Sequence, residues 1–233
     1  MEIFPGGAVL LSDSNTVIVA DLHLGCEAAL EYEGLSIPRL QTESISRYLV
    51  ELLSSIQPDR LVVAGDLKHN FSRNLAQEWD AVSRFVRELR GYARLEVVKG
   101  NHDNYLGSML RGFEVPFTRE VEVSGIRVLH GHSGEPVSGP TIMGHVHPSV
   151  SVMDRVGAQV KEHCFLYDRA NEVLILPALS LVAGGADVVR KQSSDGISPV
   201  LTGGLSDFTP LLFSGKGVLR FPKVGKMRKL GGV

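Results

Sequence analysis

The chain has 233 residues, 43% hydrophobic and 21% charged, with 24 basic and 26 acidic side chains and a formal net charge of −2. That length supports one sizeable core, and the near-neutral balance gives no general argument for nucleic-acid binding. No apolar run approaches the roughly 20 residues that span a bilayer.

The N-terminus carries no basic segment ahead of an apolar one, and two cysteines, Cys26 and Cys164, make no disulfide framework. A cytoplasmic protein without a secretory signal is therefore expected. Segments 8–11 (AVLL) and 16–20 (TVIVA) flank the turn signal SDSN and predict a β-hairpin. Over 39–56, Ile45, Leu49, Leu52, Leu53 and Ile56 recur at helical spacing, with Pro38 near the start and Pro58 after the end. A second helix is predicted over 75–89, where Leu75, Trp79, Val82, Val86 and Leu89 step by four and three. That spacing makes Trp79 a core or interface residue.

Runs rich in Val and Leu at 61–64, 95–98 and 126–129, with a weaker one at 141–143, read as strands. Segments 158–168 and 172–176, joined by the polar turn RAN, predict a second hairpin. The mixture points to one domain of α/β layers, with helices covering sheets that hold both parallel crossovers and hairpins. Charge is uneven along it. Residues 1–38 hold six acids and no Lys or Arg, whereas 208–233 hold Lys216, Arg220, Lys223, Lys226, Arg228 and Lys229 and no acid. A basic tail at about 214–233 can touch phosphate backbones; a solvated or frayed terminus is the plainer reading.

The strand ends repeat a theme. The run at 16–20 is followed by Asp21-Leu22-His23, and that at 61–64 by Gly65-Asp66 and then His69. The run at 95–98 leads to Gly100-Asn101-His102-Asp103, 126–129 to His130-Gly131-His132, and 141–143 to Gly144-His145-Val146-His147. Seven of the eight histidines fall in these five loops. Ligands of α/β sheets bind where such loops converge.

Asp21, His23, Asp66, Asn101, His130, His145 and His147 make an oxygen and nitrogen donor set without thiolate. It suits Mn²⁺, Fe, Zn²⁺ or Ni²⁺ better than Ca²⁺ or an iron–sulfur cluster. Two such cations about 3.5–4 Å apart can activate water and clamp a phosphoryl group during in-line attack. Glycines 65, 100 and 144 precede ligands at points where a Cβ would crowd the pocket. Turn-capping polars are the plain alternative, and they leave the five loops unrelated.

The ordered set DLH (21–23), GD (65–66), GNHD (100–103), HGH (130–132) and GHVH (144–147) resembles the calcineurin-like metallophosphoesterases over about residues 8–176. The resemblance implies a four-layer αββα sandwich with two mixed sheets and a dinuclear centre on loops at one sheet edge. It implies that Asp21, His23 and His147 hold one metal, Asn101, His130 and His145 the other, and that Asp66 bridges them. His130 directly follows its strand, but His132 stays open as a contributor. His102 would stand beside the scissile phosphate to stabilise charge or donate a proton, with Asp103 orienting its ring.

Many relatives place an Asp where this chain has His69, and the variant GDLxH resembles the SbcD-type DNA nucleases. DLHLGCE (21–27) with the later G…P..Q looks like small SbcD-related phosphoesterases of archaea and a ligase-associated bacterial group. LPALSLVAGGADV (176–188) is similar to a structural stretch of that group. Cys26 reads as a buried filler. Glu27 is either a helix-start acid or a group holding a ligand histidine. Lys68 reads as an exposed loop lysine, with a phosphate contact as the alternative, and His163 as structural.

The resulting expectation is a Mn²⁺-dependent phosphoesterase cleaving phosphodiesters of DNA or RNA by attack of a metal-bridging hydroxide. A phosphomonoesterase, or an enzyme for cyclic nucleotides or small diesters, is the alternative. The chain ends soon after the core, so the duplex processing of full SbcD-type nucleases is not expected. A non-catalytic scaffold would lack ligands, and none is missing here. A module binding nucleic acid through its tail leaves the histidines unexplained. No membrane partner is expected, and a homodimer is compatible with the sequence.

Overall fold

The computed structural model describes residues 1–32, 34–35, 40–71, 76–153, 159–180, 182–190, 197–214 and 217–229. Pro38, Leu75, Ala158, Leu181, Lys216 and the last four residues of the tail lie outside the described residues.

The first hairpin forms as predicted from β2 (Val9–Leu11) and β3 (Thr16–Val19), with β1 (Glu2–Ile3) beside it. Asn15 closes its turn at φ 44°, a left-handed conformation that Asn tolerates. From β3 the sheet continues in parallel through β4 (Arg60–Ala64), β5 (Arg94–Val98) and β6 (Phe117–Thr118). The crossovers carry α1 (Cys26–Tyr32), α2 (Gln41–Ile56), α3 (Ala76–Leu89) and α4 (Leu106–Gly112). Helix α2 stops at Gln57, left-handed at φ 53°, whose N–H returns to the Leu53 carbonyl.

A second, seven-stranded sheet contains β7 (Glu120–Val123), β8 (Ile126–Leu129), β9 (Thr141–Met143), β12 (Phe165–Asp168), β13 (Val173–Ile175), β15 (Thr209–Ser214) and β16 (Gly217–Arg220), in the order β16-β15-β12-β13-β9-β8-β7. Its centre, β8-β9-β13, is parallel and its flanks antiparallel. A small third sheet joins β10 (Pro148–Met153) to β11 (Gln159–His163) and β14 (Ala186–Asp187).

Alternation along β3, β4 and β5 divides the interior. Val17, Val19, Leu61, Val63, Leu95 and Val97 face the helices, meeting Ile45, Leu49, Leu53, Val82, Phe85 and Leu89. Ile18, Ala20, Val62, Ala64 and Val98 face the second sheet, meeting Val128, Ile142, Phe165 and Leu174. Successive strand residues point to opposite faces, so strands buried on both sides read as unbroken apolar runs. The outer face of the second sheet is covered by α5 (Val224–Lys229) and by Val200, Leu205 and Phe208 from irregular chain. The expected sandwich of two mixed sheets is present, with helix concentrated on the first sheet.

Three local expectations change. Segment 158–168 is not one strand of a hairpin: it divides at Cys164, so that β11 joins the small sheet while β12 pairs with β13 in the large one. The Cys164 N–H bonds to the Pro148 carbonyl at that corner. Trp79 is 38% exposed, because its position lies at the margin of the α3 stripe formed by Val82, Phe85, Val86 and Leu89. The described part of the basic tail is folded rather than frayed. Val224 and Met227 of α5 are buried, Arg228 donates to the Val188 carbonyl, and Lys223 pairs with Asp207 at 2.9 Å.

Phe85 is 1% exposed at the centre of the helix-side core. Phe85→Ala should cost about 3–5 kcal/mol of stability, read as a lower urea midpoint at unchanged slope; a cost below about 1 kcal/mol would contradict this packing.

Candidate metal centre and active site

The C-terminal ends of β3, β4 and β5 and those of β8 and β9 all deliver polar residues to one edge. The loops after β3 and β4 run together: the N–H groups of Asp21, His23 and Leu24 donate to the carbonyls of Gly65, Asp66 and Leu67 at 2.9–3.1 Å. Five donor-bearing residues take left-handed backbone, Asp21 at φ 55°, His23 at 47°, Asp66 at 50°, His145 at 70° and His147 at 47°. Such conformations cost energy and persist only when the surroundings fix them. Asp21 and His23, and His145 and His147, are therefore brought to the site by left-handed turns and not by an extended segment.

Close packing of the loops needs glycine at 65, 100 and 144; at Gly144 a Cβ would crowd Ala20 and the Asp21 carboxylate. A Cβ on Gly65, itself at φ 92°, would strike the His130 ring, and one on Gly100 would strike the Asp66 carboxylate and N–H.

The side chains converge on two buried carboxylates. His23 Nε2 lies 3.3 Å from His147 Nε2, and His147 Nε2 lies 3.4 Å from Asp21 Oδ1. His130 Nδ1 donates to the Ala64 carbonyl at 3.1 Å, which turns its Nε2 toward Asn101 Oδ1 at 3.1 Å and Asp66 Oδ2 at 3.4 Å. Donor atoms of Asp21, His23 and His147 fall within 4.8 Å of one another, as do those of Asp21, Asp66 and His130. His145 is anchored by its N–H to Asp21 Oδ2 at 2.9 Å, and its ring centroid is 4.9 Å from that of His130. His132 lies farther out, its ring 5.2 Å from His130. All seven residues expected as ligands are thus brought together, and His130 rather than His132 faces Asp66.

This geometry fits a cation. Asp21 Oδ1 is buried without a hydrogen-bond partner, and two imidazole nitrogens face each other at a distance where only one of them can donate. An unpaired buried carboxylate oxygen is costly unless a positive charge meets it.

The protonation pattern agrees. Burial lowers the His23 pKa to about 3 and that of His145 to about 4, leaving both neutral. Burial also disfavours charge on His130, but the Asp66 hydrogen bond and the Asp21 charge outweigh it and raise the pKa to about 9. Burial pushes Asp66 and Asp21 upward, and contacts with His130 and His147 respectively pull both below the ordinary carboxylate range.

On the other flank, His102 donates its backbone N–H to Asp66 Oδ1 at 2.8 Å. Its ring Nδ1 donates to the His69 carbonyl, which leaves Nε2 toward Asp66 Oδ2 at 4.0 Å. The His69 and His102 rings stack with centroids 5.6 Å apart and 28° between planes, and the exposed Phe71 meets the His102 ring edge-on.

Asp103 does not orient the His102 ring. Its buried carboxylate accepts the N–H groups of Gly100 at 2.8 Å and Lys68 at 3.2 Å, so it ties two loops together. Burial, with the nearby Asp66 charge, raises its pKa to about 6.

Lys68 is 2% exposed, not a loop lysine in solvent. Its ammonium turns away to the Asn70 carbonyl and to Glu78 of α3 at 3.7 Å. Glu78 also accepts the His69 N–H at 3.0 Å. Glu27 lies in the first turn of α1, as a helix-start acid, and it holds no ligand histidine directly. It accepts the Gln41 N–H at 2.6 Å, opening α2, and Gln41 in turn donates to the His23 carbonyl at 3.0 Å. Ser180 donates to Gln41 Oε1 at 2.9 Å, which ties the 176–188 stretch to the site. Gln41 is the last residue of the G…P..Q pattern, though its hydrogen bonds could not be read there, and Glu78 escaped sequence reasoning because it sits on a helix, apart from the strand-end loops. Cys26 and Cys164 are buried thiols and His163 lies on β11.

The model of the calcineurin-like phosphoesterase family matches residues 14–156. The chain belongs to that family. Among solved structures, the nuclease MPE of Pseudomonas putida is similar at TM-score 0.65 and 20% identity, over 93% of this chain and 92% of that one. The phosphoesterase YfcE of E. coli aligns at TM-score 0.41 and 18% identity, over 73% and 83%. A protein of unknown function from Aquifex aeolicus, AQ665, aligns at TM-score 0.37 and 18% identity, over 61% and 81%. A search of curated proteins by sequence found no match. The family uses divalent metals, and this His and Asp cluster holds the groups that could take them.

Cations and protons compete for these donors. His130 keeps its proton up to about pH 9 in the cation-free protein, so a cation binding to its Nε2 at neutral pH must displace it. Mn²⁺ affinity should rise about tenfold per pH unit between about pH 6 and 8 for each proton displaced. Titration calorimetry in buffers of different ionisation enthalpy should show proton release; pH-independent affinity without release would contradict the assignment of His130.

Proposed function

We propose that the chain hydrolyses phosphodiester bonds, with DNA or RNA strands as substrates, and that it belongs to the SbcD-related branch of its family. Asp21, His23 and His147 would hold one divalent cation, Asn101, His130 and His145 a second, and Asp66 would bridge them; Mn²⁺ suits this donor set. Bound there, the pair would supply Lewis-acid charge to the phosphoryl oxygens and activate water for in-line attack.

The observation that carries the diester reading is the stack of His69 on His102. An alkoxide leaving group needs a proton, and an imidazolium can supply one near neutral pH, returning to the neutral ring. With Nδ1–H fixed on the His69 carbonyl, His102 presents Nε2 to the site without rotating. A nuclease of similar fold is known in Pseudomonas putida, but the reading stands on the paired rings of this chain.

Metal-stripped protein would be given Mn²⁺ and assayed on bis-p-nitrophenyl phosphate, p-nitrophenyl phosphate, 2′,3′-cyclic nucleotides and single-stranded oligonucleotides. Diester turnover should depend on Mn²⁺ and exceed monoester turnover. His102→Ala should cost about 10²–10⁴-fold in kcat, and Asp66→Asn should remove activity, which also controls for contaminating nucleases. A monoester preference would overturn the diester reading. No Mn²⁺-dependent turnover, or equal turnover by Asp66→Asn, would overturn the enzyme.

A further inference from the structure

A groove of about 760 Å³ opens beside the candidate centre, lined by His130 and His132 and by Lys99, Arg119, Arg127 and Glu120. Lys99 immediately precedes the Gly100-Asn101-His102-Asp103 loop. Strands β5 and β6 pair in parallel with Val98 opposite Thr118, and the Lys99 N–H extends the ladder to the Thr118 carbonyl at 2.7 Å. One step further, this register sets Lys99 beside Arg119. Residues at equivalent positions of adjoining parallel strands share a face.

Charge pairing separates the cations of the groove wall: Arg127 is held by Glu120 at 2.7 Å. Among the described residues, no carboxylate lies within ion-pair distance of Lys99 or Arg119, both of which are exposed. Glu135 is the remaining acid on the groove wall. Two unneutralised cations side by side repel each other, an arrangement that an anion relieves. Arg offers a planar fork matched to phosphate oxygens and Lys a mobile point charge. The lining of His130, which faces Asp66, makes the groove continuous with the reacting position rather than a remote basic patch.

We propose that Lys99 and Arg119, with His132 between them and the metal centre, form a subsite for a second phosphate of a polynucleotide strand whose neighbouring phosphate is being cleaved. This rests on the phosphodiesterase reading and narrows its preferred substrates to strands with at least two phosphates. It gives His132 a substrate-facing place outside the ligand set.

The test compares a dinucleoside monophosphate, which has one phosphate, with a single-stranded octanucleotide in Mn²⁺-loaded parent protein and in Lys99→Ala/Arg119→Ala. Parent KM should be lower for the octanucleotide, and the double variant should lose about tenfold of that advantage with kcat for the octanucleotide retained. Lys99→Gln/Arg119→Gln keeps polar side chains without charge and should behave likewise, and circular dichroism melts check that each variant folds.

Fluorescence anisotropy of a labelled octanucleotide in EDTA measures binding without turnover. There the slope of log affinity against log salt should fall by about 1.4 in magnitude when two phosphate contacts on a single strand are lost. An unchanged length preference and salt slope, or parallel KM increases on both substrates, would overturn the subsite. Absence of turnover in the parent with the salt-slope change intact would instead overturn the phosphodiesterase reading and leave the anion subsite standing.

Discussion

Two carboxylates buried beside each other, Asp21 and Asp66, set the terms for everything around them. Asp21 is fully buried and Asp66 2% exposed, and each charge opposes ionisation of the other. Removing a carboxylate from water costs several kcal/mol even after relaxation. In the cation-free protein, protonated His130 between them offsets part of this, with its Nε2 3.4 Å from Asp66 Oδ2 and its Nδ1 3.5 Å from Asp21 Oδ1. One imidazolium cannot satisfy two carboxylates, and Asp21 Oδ1 remains without a hydrogen bond. The site is thus organised around positive charge that protein groups supply only in part.

Holding those carboxylates in place requires support from outside the strand-end loops. The left-handed turns at Asp21, His23 and Asp66 are kept by the tandem hydrogen bonds between the loops after β3 and β4. Behind His23 stands the chain Glu27–Gln41–Ser180, and behind His69 the buried Lys68–Glu78 pair. Asp103 fastens the loop after β5 to Lys68. Sheet edge, helix start and loop therefore act as one unit, which is how a polar cluster can be held at the edge of the apolar cores.

The part legible in the sequence was the part with a period or a motif. Runs such as VIVA at 17–20 and LVVA at 61–64 are buried on both faces, so they stand out as unbroken apolar segments. Their ends carry the donor residues because the chain leaves the sheet there. What escaped depended on tertiary contact. Lys68 is a polar residue in a polar loop, and only α3 reveals that Glu78 draws it inside. Asp103 follows His102 in sequence, yet its carboxylate turns to backbone N–H groups instead of the ring. The corner at Cys164 interrupts an alternation that reads as continuous, since two sheets share that stretch. Trp79 fits the helical spacing of α3, but the stripe it borders has nothing to bury it.

The central claim is that this pair of carboxylates exists to hold two cations with Asp66 between them. Anomalous diffraction from Mn²⁺-loaded crystals tests it most directly. The account expects two peaks about 3.5–4 Å apart, one beside Asp21, His23 and His147, the other beside Asn101, His130 and His145, both within bonding distance of Asp66. A single peak, or peaks away from Asp66, would contradict it.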